Sequence, residues 1–105
     1  MIVVTYEKSR EGCALRVEGH AGYAARGSDI VCAAASILFY TLANYLSARK
    51  EAEVQVTKRN GDALLTARGE EAGKGLALIL TGFFLLQESY PEYVRVQESP
   101  ITPWG

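Results

Sequence analysis

The chain has 105 residues, 49% hydrophobic and 22% charged, the balance of one folded domain over residues 1–105 with a single core. Eleven basic residues against twelve acidic ones leave a net charge of −1, so no broad field points to a nucleic-acid or anionic-membrane partner. Two cysteines, a lone histidine and a Met-Ile-Val-Val start without a basic leader point to free thiols in a reducing, cytoplasmic setting; they do not supply a closed zinc shell.

Apolar residues alternate over Ile2–Glu7 and Cys13–Glu18, which predicts two strands joined by the turn Ser9-Arg10-Glu11-Gly12. In the second strand Cys13, Leu15 and Val17 share one face. Ala14, Arg16, Glu18 and, continuing the alternation, His20 share the other. A loop of small residues covers 20–27. Ser28 and Asp29 are N-cap residue types ahead of an apolar run, predicting a helix from Asp29 to Arg49, with Arg49 and Lys50 complementing the dipole at its end.

From Ile30 to Ala48 no residue is charged, which approaches the length of a membrane span. Cys32, Ser36, Thr41, Asn44 and Ser47 interrupt the stretch and its flanks are short strands, so it reads as a buried helix with no membrane partner. Val31, Ala34, Ala35, Leu38, Leu42, Tyr45 and Leu46 form its broad apolar face, with Cys32, Ser36, Phe39 and Ala43 alongside.

Glu53–Lys58 and Ala63–Arg68 flank Asn60-Gly61, a type I′ hairpin sequence whose register sets Val56 against Leu65 and Val54 against Ala67. A second helix is expected from about Glu71 to Glu88. Its Gly73, Gly75 and Gly82 weaken it locally and allow close approach to the first helix. Pro91 ends it, Tyr93–Gln97 reads as the last strand, and Ser99-Pro-Ile-Thr-Pro-Trp-Gly as an irregular tail. The order ββαββαβ predicts a two-layer α+β sandwich, a mixed or antiparallel sheet under two long helices. Strand order does not follow from it.

The chemistry concentrates in Gly19–Ser36, GHAGYAARGSDIVCAAAS. Cys32 falls in the first helical turn, where unpaired N–H groups and the dipole favour a thiolate and where those same N–H groups are available to an oxyanion. His20 ends the neighbouring strand and is positioned to act as a base. Asp29 lies almost one turn before Cys32, and Ser36 one turn after it, along the same helical edge. This is a way to build a cysteine hydrolase. On spacing alone other readings stay open: Cys32 as a small buried hydrophobe, His20 as a surface residue, Asp29 as a plain N-cap, Ser36 as a helix-edge residue. Cys13, on the apolar face of its strand, reads as structural.

His20-Ala-Gly-Tyr-Ala, Gly27 and Asp29-Ile-Val-Cys-Ala-Ala with Ser36 together resemble the signature of the ribosomal-processing cysteine protease family, known as Prp, and the resemblance extends along the whole chain. It implies a cysteine endopeptidase that removes a short N-terminal extension from a large-subunit ribosomal protein, as a homodimer and without cofactor or metal. It implies Cys32 as nucleophile and His20 as general base, with Asp29, Ser36 and Gly19 supporting the site or touching substrate. Gly22, Tyr23 and Gly27 correspond to a mobile loop that opens to admit an extended peptide and closes against water. Arg26 and Ser28 fall at variable positions, and Ala35 stands where valine is frequent. The implied substrate carries apolar or aromatic residues before the scissile bond. Phe83, Phe84 and Trp104 are candidates for a dimer face that the sequence does not distinguish from core or tail.

A different class of function is a non-catalytic ribosome-assembly or RNA–protein binding module built on Lys8, Arg10, Lys58 and Arg59. A redox-sensing thiol at Cys32 is a third, without a CxxC or a resolving partner to support it.

Overall fold

The computed structural model describes residues 1–25 and 27–101; Arg26 and the tail from Thr102, with Trp104, lie outside the described residues. The elements run β1 (Ile2–Lys8), β2 (Gly12–Glu18), α1 (Ile30–Ser47), β3 (Glu53–Arg59), β4 (Asp62–Arg68), α2 (Glu70–Ser89) and β5 (Val94–Glu98). They form one mixed sheet in the order β3-β4-β2-β1-β5. β1 and β5 are parallel and every other neighbouring pair is antiparallel.

The period of two in the strands sends Ile2, Val4, Cys13, Leu15, Leu65, Ala67 and Val94 into one buried layer. There they meet Phe39, Leu42 and Leu46 of α1 and Leu76, Leu80 and Phe83 of α2. Each fully buried Leu or Phe contributes roughly 1.5–3 kcal/mol. This interface, and not intrinsic propensity, holds α2 helical despite its internal Gly73, Gly75 and Gly82. Gly75 and Gly82 make room for α1: a Cβ there would come within 3.0 Å of Leu42 and 2.6 Å of Leu38. Gly73 plays no such part, since a Cβ there would meet nothing within 4 Å.

α1 is long and apolar enough to cross a membrane by length and composition. Here its Val31, Ala35, Phe39, Leu42, Ala43 and Leu46 are buried against the rest of the fold. The buried stripe is rotated toward Phe39 and Ala43 from the expected one, leaving Ala34 and Leu38 only partly buried. Tyr45 stays 40% exposed, its hydroxyl donating to Glu71 at 3.0 Å. The helix stops at Ser47 with Ala48 as cap, so Arg49 and Lys50 lie past its last turn. Arg49 instead lays its guanidinium 4.7 Å from the Tyr45 ring centroid.

The β3–β4 register pairs Val54 with Ala67 and Val56 with Leu65, as the apolar pattern requires. The turn is not type I′. That type needs positive φ at both central residues; Gly61 has φ 73°, but no described non-glycine residue does.

Candidate active site

Three chain segments build the site: the exit from β2, the start of α1 and the tip of the β3–β4 hairpin. β2 ends at Glu18, opposite Asp62 at the start of β4. Gly19 then takes φ 89° and donates its N–H to the Gly61 carbonyl at 2.8 Å. A Cβ at Gly19 would stand 2.4 Å from the Met1 carbonyl oxygen, so both conformation and space demand glycine.

This turn breaks the alternation. His20 therefore does not continue the outer row of Arg16 and Glu18, as strand periodicity had placed it. Its ring lies over Gly61, where an added Cβ would come within 3.0 Å of Nε2. The ring is exposed, and the Met1 amine donates to the His20 carbonyl at 2.6 Å.

Asp29 is the N-cap of α1. Its Oδ1 accepts from the Val31 and Cys32 N–H groups, both at 3.0 Å. Its Oδ2 accepts from Tyr23 at 3.1 Å and Ala24 at 3.4 Å. These backbone donors, with Cys32 foremost, hold the Asp29 carboxyl below the usual carboxylate range. One side chain thus ties the loop to the helix that carries Cys32. Ser28, the other N-cap type, donates its backbone N–H to the Ala25 carbonyl at 2.9 Å and belongs to the loop.

The capping corrects one expectation. First-turn N–H groups of α1 had been expected to serve an oxyanion, but those of Val31 and Cys32 are taken by Asp29, and that of Ala33 bonds the Asp29 carbonyl at 3.1 Å. The N–H that reaches the sulfur comes from the loop: Ala21, itself buried, donates to Cys32 Sγ at 3.3 Å.

Two cavities meet at this point. The smaller, about 160 Å³, has Ile2, Val17 and Phe39 on its walls and Lys58 and Arg59 among its lining. The larger, about 560 Å³, runs beside the loop past Gly22, Ala24, Gly27, Asp29 and Asn60. Cys32, His20 and Ser36 line both. Among the described residues no hydrogen bond joins the Cys32 thiol to the His20 ring. The fold thus gathers Cys32, His20, Ser36, Asp29, Gly19, Gly22 and Gly27 around one hollow. Tyr23 is the exception: its ring is set edge-on against Tyr90 and Tyr93 and lines neither cavity.

Cys13 is a different thiol. It is fully buried, donates to the Ala72 carbonyl at 3.5 Å, and burial pushes its pKa up to about 11. Both cysteines are free.

The hairpin tip escaped sequence reading because only strand order brings it to the end of β2. Phe39 was signalled by its place in the Cys32–Ser36 stripe; nothing local marked Tyr90 and Tyr93 as neighbours of the loop. The sheet also separates the four basic residues weighed for RNA. Lys8 and Arg10 lie at the β1–β2 turn, the end where Gly12 pairs with Arg68. Lys58 and Arg59 lie at the opposite end, where Glu18 pairs with Asp62.

Comparison with known proteins finds the same fold. The ribosomal processing protease Prp of Staphylococcus aureus, solved with a covalently linked product peptide, superimposes with a TM-score of 0.86 at 23% identity, over 94% of this chain and 100% of that one. The same protease with a substrate peptide gives 0.78 at 21% identity, over 94% and 100%. A Streptococcus mutans protein gives 0.72 at 27% identity, over 93% of each chain. No curated protein matches the sequence. The model of the cysteine protease Prp family matches residues 1–95, and the chain therefore belongs to that family of cysteine proteases.

Proposed function

We propose that this protease removes the N-terminal extension of a large-subunit ribosomal protein in the cytoplasm, with Cys32 as nucleophile and His20 as general base and acid. The observation that carries the reading is the meeting of Cys32, His20 and Ser36 at the junction of two cavities, with a backbone N–H on the sulfur. The Staphylococcus aureus protease of the same fold, held with a covalently linked product peptide, supports a covalent route on a peptide substrate.

In that route the Cys32 thiolate forms a bond to the scissile carbonyl carbon, and the C–N bond breaks as protonated His20 gives its proton to the leaving amine. Water then attacks the thioester carbon while His20 takes up its proton. The C–S bond breaks, and the products are a peptide carboxylate and the free thiol. Ser36, exposed one turn along α1, contacts the peptide in the hollow. The larger cavity, open along the loop, takes the extended chain, and the smaller one, walled by Ile2, Val17 and Phe39, takes an apolar side chain.

The reaction runs in a homodimer on this reading. Ile37, Leu78 and Leu85, 64%, 73% and 60% exposed on the helices, supply apolar surface for it, and sedimentation would test it.

The decisive experiment is incubation with the extended ribosomal protein of the same organism, followed by mass spectrometry. A single cut that shortens the N-terminus is expected. An untouched extension beside an enzyme that cleaves other peptides would overturn the substrate assignment.

A further inference from the structure

Tyr23 belongs to the loop and is 42% exposed. Its ring nonetheless meets two others edge-on, Tyr90 at 5.4 Å and 81° and Tyr93 at 5.3 Å and 81° between centroids and planes. Both contacts have the geometry that aromatic quadrupoles favour.

The two partner rings stand on a fixed backbone. Tyr90 caps α2 through its N–H to the Leu86 carbonyl at 2.9 Å, and its own carbonyl accepts from Tyr93 at 2.9 Å and Val94 at 3.1 Å. The Tyr93 carbonyl accepts from Ile2 at 2.8 Å, which ties this turn to β1. The loop around Tyr23 is anchored far more lightly. Its Tyr23 and Ala24 N–H groups reach Asp29, and between Tyr23 and Ala21 stands only Gly22, at φ 70° with open space where a Cβ would be. Ala21 is the residue whose N–H lies on Cys32 Sγ. The Ala21 N–H shares its peptide with the His20 carbonyl, which the Met1 amine holds at 2.6 Å, so the Tyr23 seat is the hold on the side of Ala21 away from β2.

We infer that Tyr90 and Tyr93 are positioning residues of the proteolytic reaction: they seat Tyr23, and so hold the Ala21 N–H against the Cys32 sulfur. The inference rests on Cys32 being the nucleophile. The N–H supplies a donor at the reacting centre, in place of the first-turn groups that Asp29 occupies. A seated Tyr23 leaves both cavities open, so the seat serves the step on the sulfur and not peptide entry.

The test compares the double variant Tyr90→Leu/Tyr93→Leu with Tyr90→Phe/Tyr93→Phe and with Tyr23→Leu, using the extended ribosomal protein as substrate. The leucine pair is expected to lose up to about 10²-fold in kcat with KM little changed, as misplacement of one preorganised donor does. Amide hydrogen exchange at Ala21–Ala24 should rise at the same time. The phenylalanine pair should retain wild-type values, since edge contacts do not use the hydroxyl. Tyr23→Leu should match the leucine pair, and combining them should add no further loss. Wild-type kcat and unchanged exchange in a folded leucine pair would overturn the inference. Should that pair fail to fold, Tyr23→Leu decides alone, its side chain being exposed. If the wild type itself does not cut the extended ribosomal protein, the substrate assignment falls, while the exchange measurement and the rate of Cys32 alkylation still report whether the seat holds the loop.

Discussion

The same thiol group occurs in two opposite settings within this small fold. Cys13 sits near the start of β2 under α2, with no solvent access, its thiol donating to a carbonyl and its pKa pushed up by burial to about 11. Cys32 sits half-buried at the mouth of two cavities, and its polar neighbour is an N–H donor. Burial keeps the Cys13 thiol protonated, whereas the Cys32 sulfur lines both cavities and accepts a backbone N–H. Composition gives the chain two cysteines, and the backbone around each decides which one can react.

The contrast is broken most strongly by removing the exposed sulfur. Cys32→Ala is expected to cut turnover of the extended ribosomal protein by on the order of 10⁴-fold or more with an unchanged circular dichroism spectrum. Residual turnover near the wild-type rate would move the nucleophile elsewhere. His20→Ala should lose roughly 10²–10⁴-fold in kcat, the usual worth of a general acid–base group.

Asp29→Ala, which releases the Val31, Cys32, Tyr23 and Ala24 amides together, should cost about tenfold in kcat through misplacement. Hydrogen exchange should show those amides deprotected. Wild-type protection would mean that the carboxylate is not what ties loop to helix. The Asp29 pKa is depressed in the fold, so the stability it lends is present above the ordinary carboxylate range and fades as pH falls through the depressed value.

Cys13→Ala should be the mildest change, with turnover within about twofold of wild type because the residue lies outside the hollow. Its signature is in stability. Cys13 resists ionisation in the fold, so the unfolded chain loses its proton first, and stability declines as pH climbs from the ordinary thiol range, about 8.5, toward the folded value of about 11. The full decline is about 3 kcal/mol. Urea unfolding at stepped pH should show that slope in the wild type and its loss in Cys13→Ala. Equal slopes would mean that this thiol is not shielded.

Much of the fold was legible because its signals are local. Alternation in β1 and β2, the turn residues Asn60-Gly61 and the apolar pairs Val54–Ala67 and Val56–Leu65 each depend on neighbours close in sequence. Cys32, Ser36 and Asp29 were legible as one helical edge for the same reason. His20 was placed at the right strand end but on the wrong face, since alternation cannot anticipate that Gly19 takes φ 89° against the Met1 carbonyl. The hairpin tip beneath His20 and the tyrosine seat beside the loop depend on pairings between distant segments, fixed only once β4 lies beside β2 and the α2–β5 turn beside β1. The expected oxyanion donors were misjudged because a cap that binds helix amides looks, in sequence, the same as one that leaves them free.

The resting of the His20 ring on Gly61 gives the hairpin a use outside folding. An exchange of Gly61 would force a side chain into φ 73°, the region that favours glycine, and bring its Cβ within 3.0 Å of His20 Nε2. Here such an exchange would nudge an imidazole. Glycine at position 61 is thus required twice, by the turn and by the histidine that rests on it.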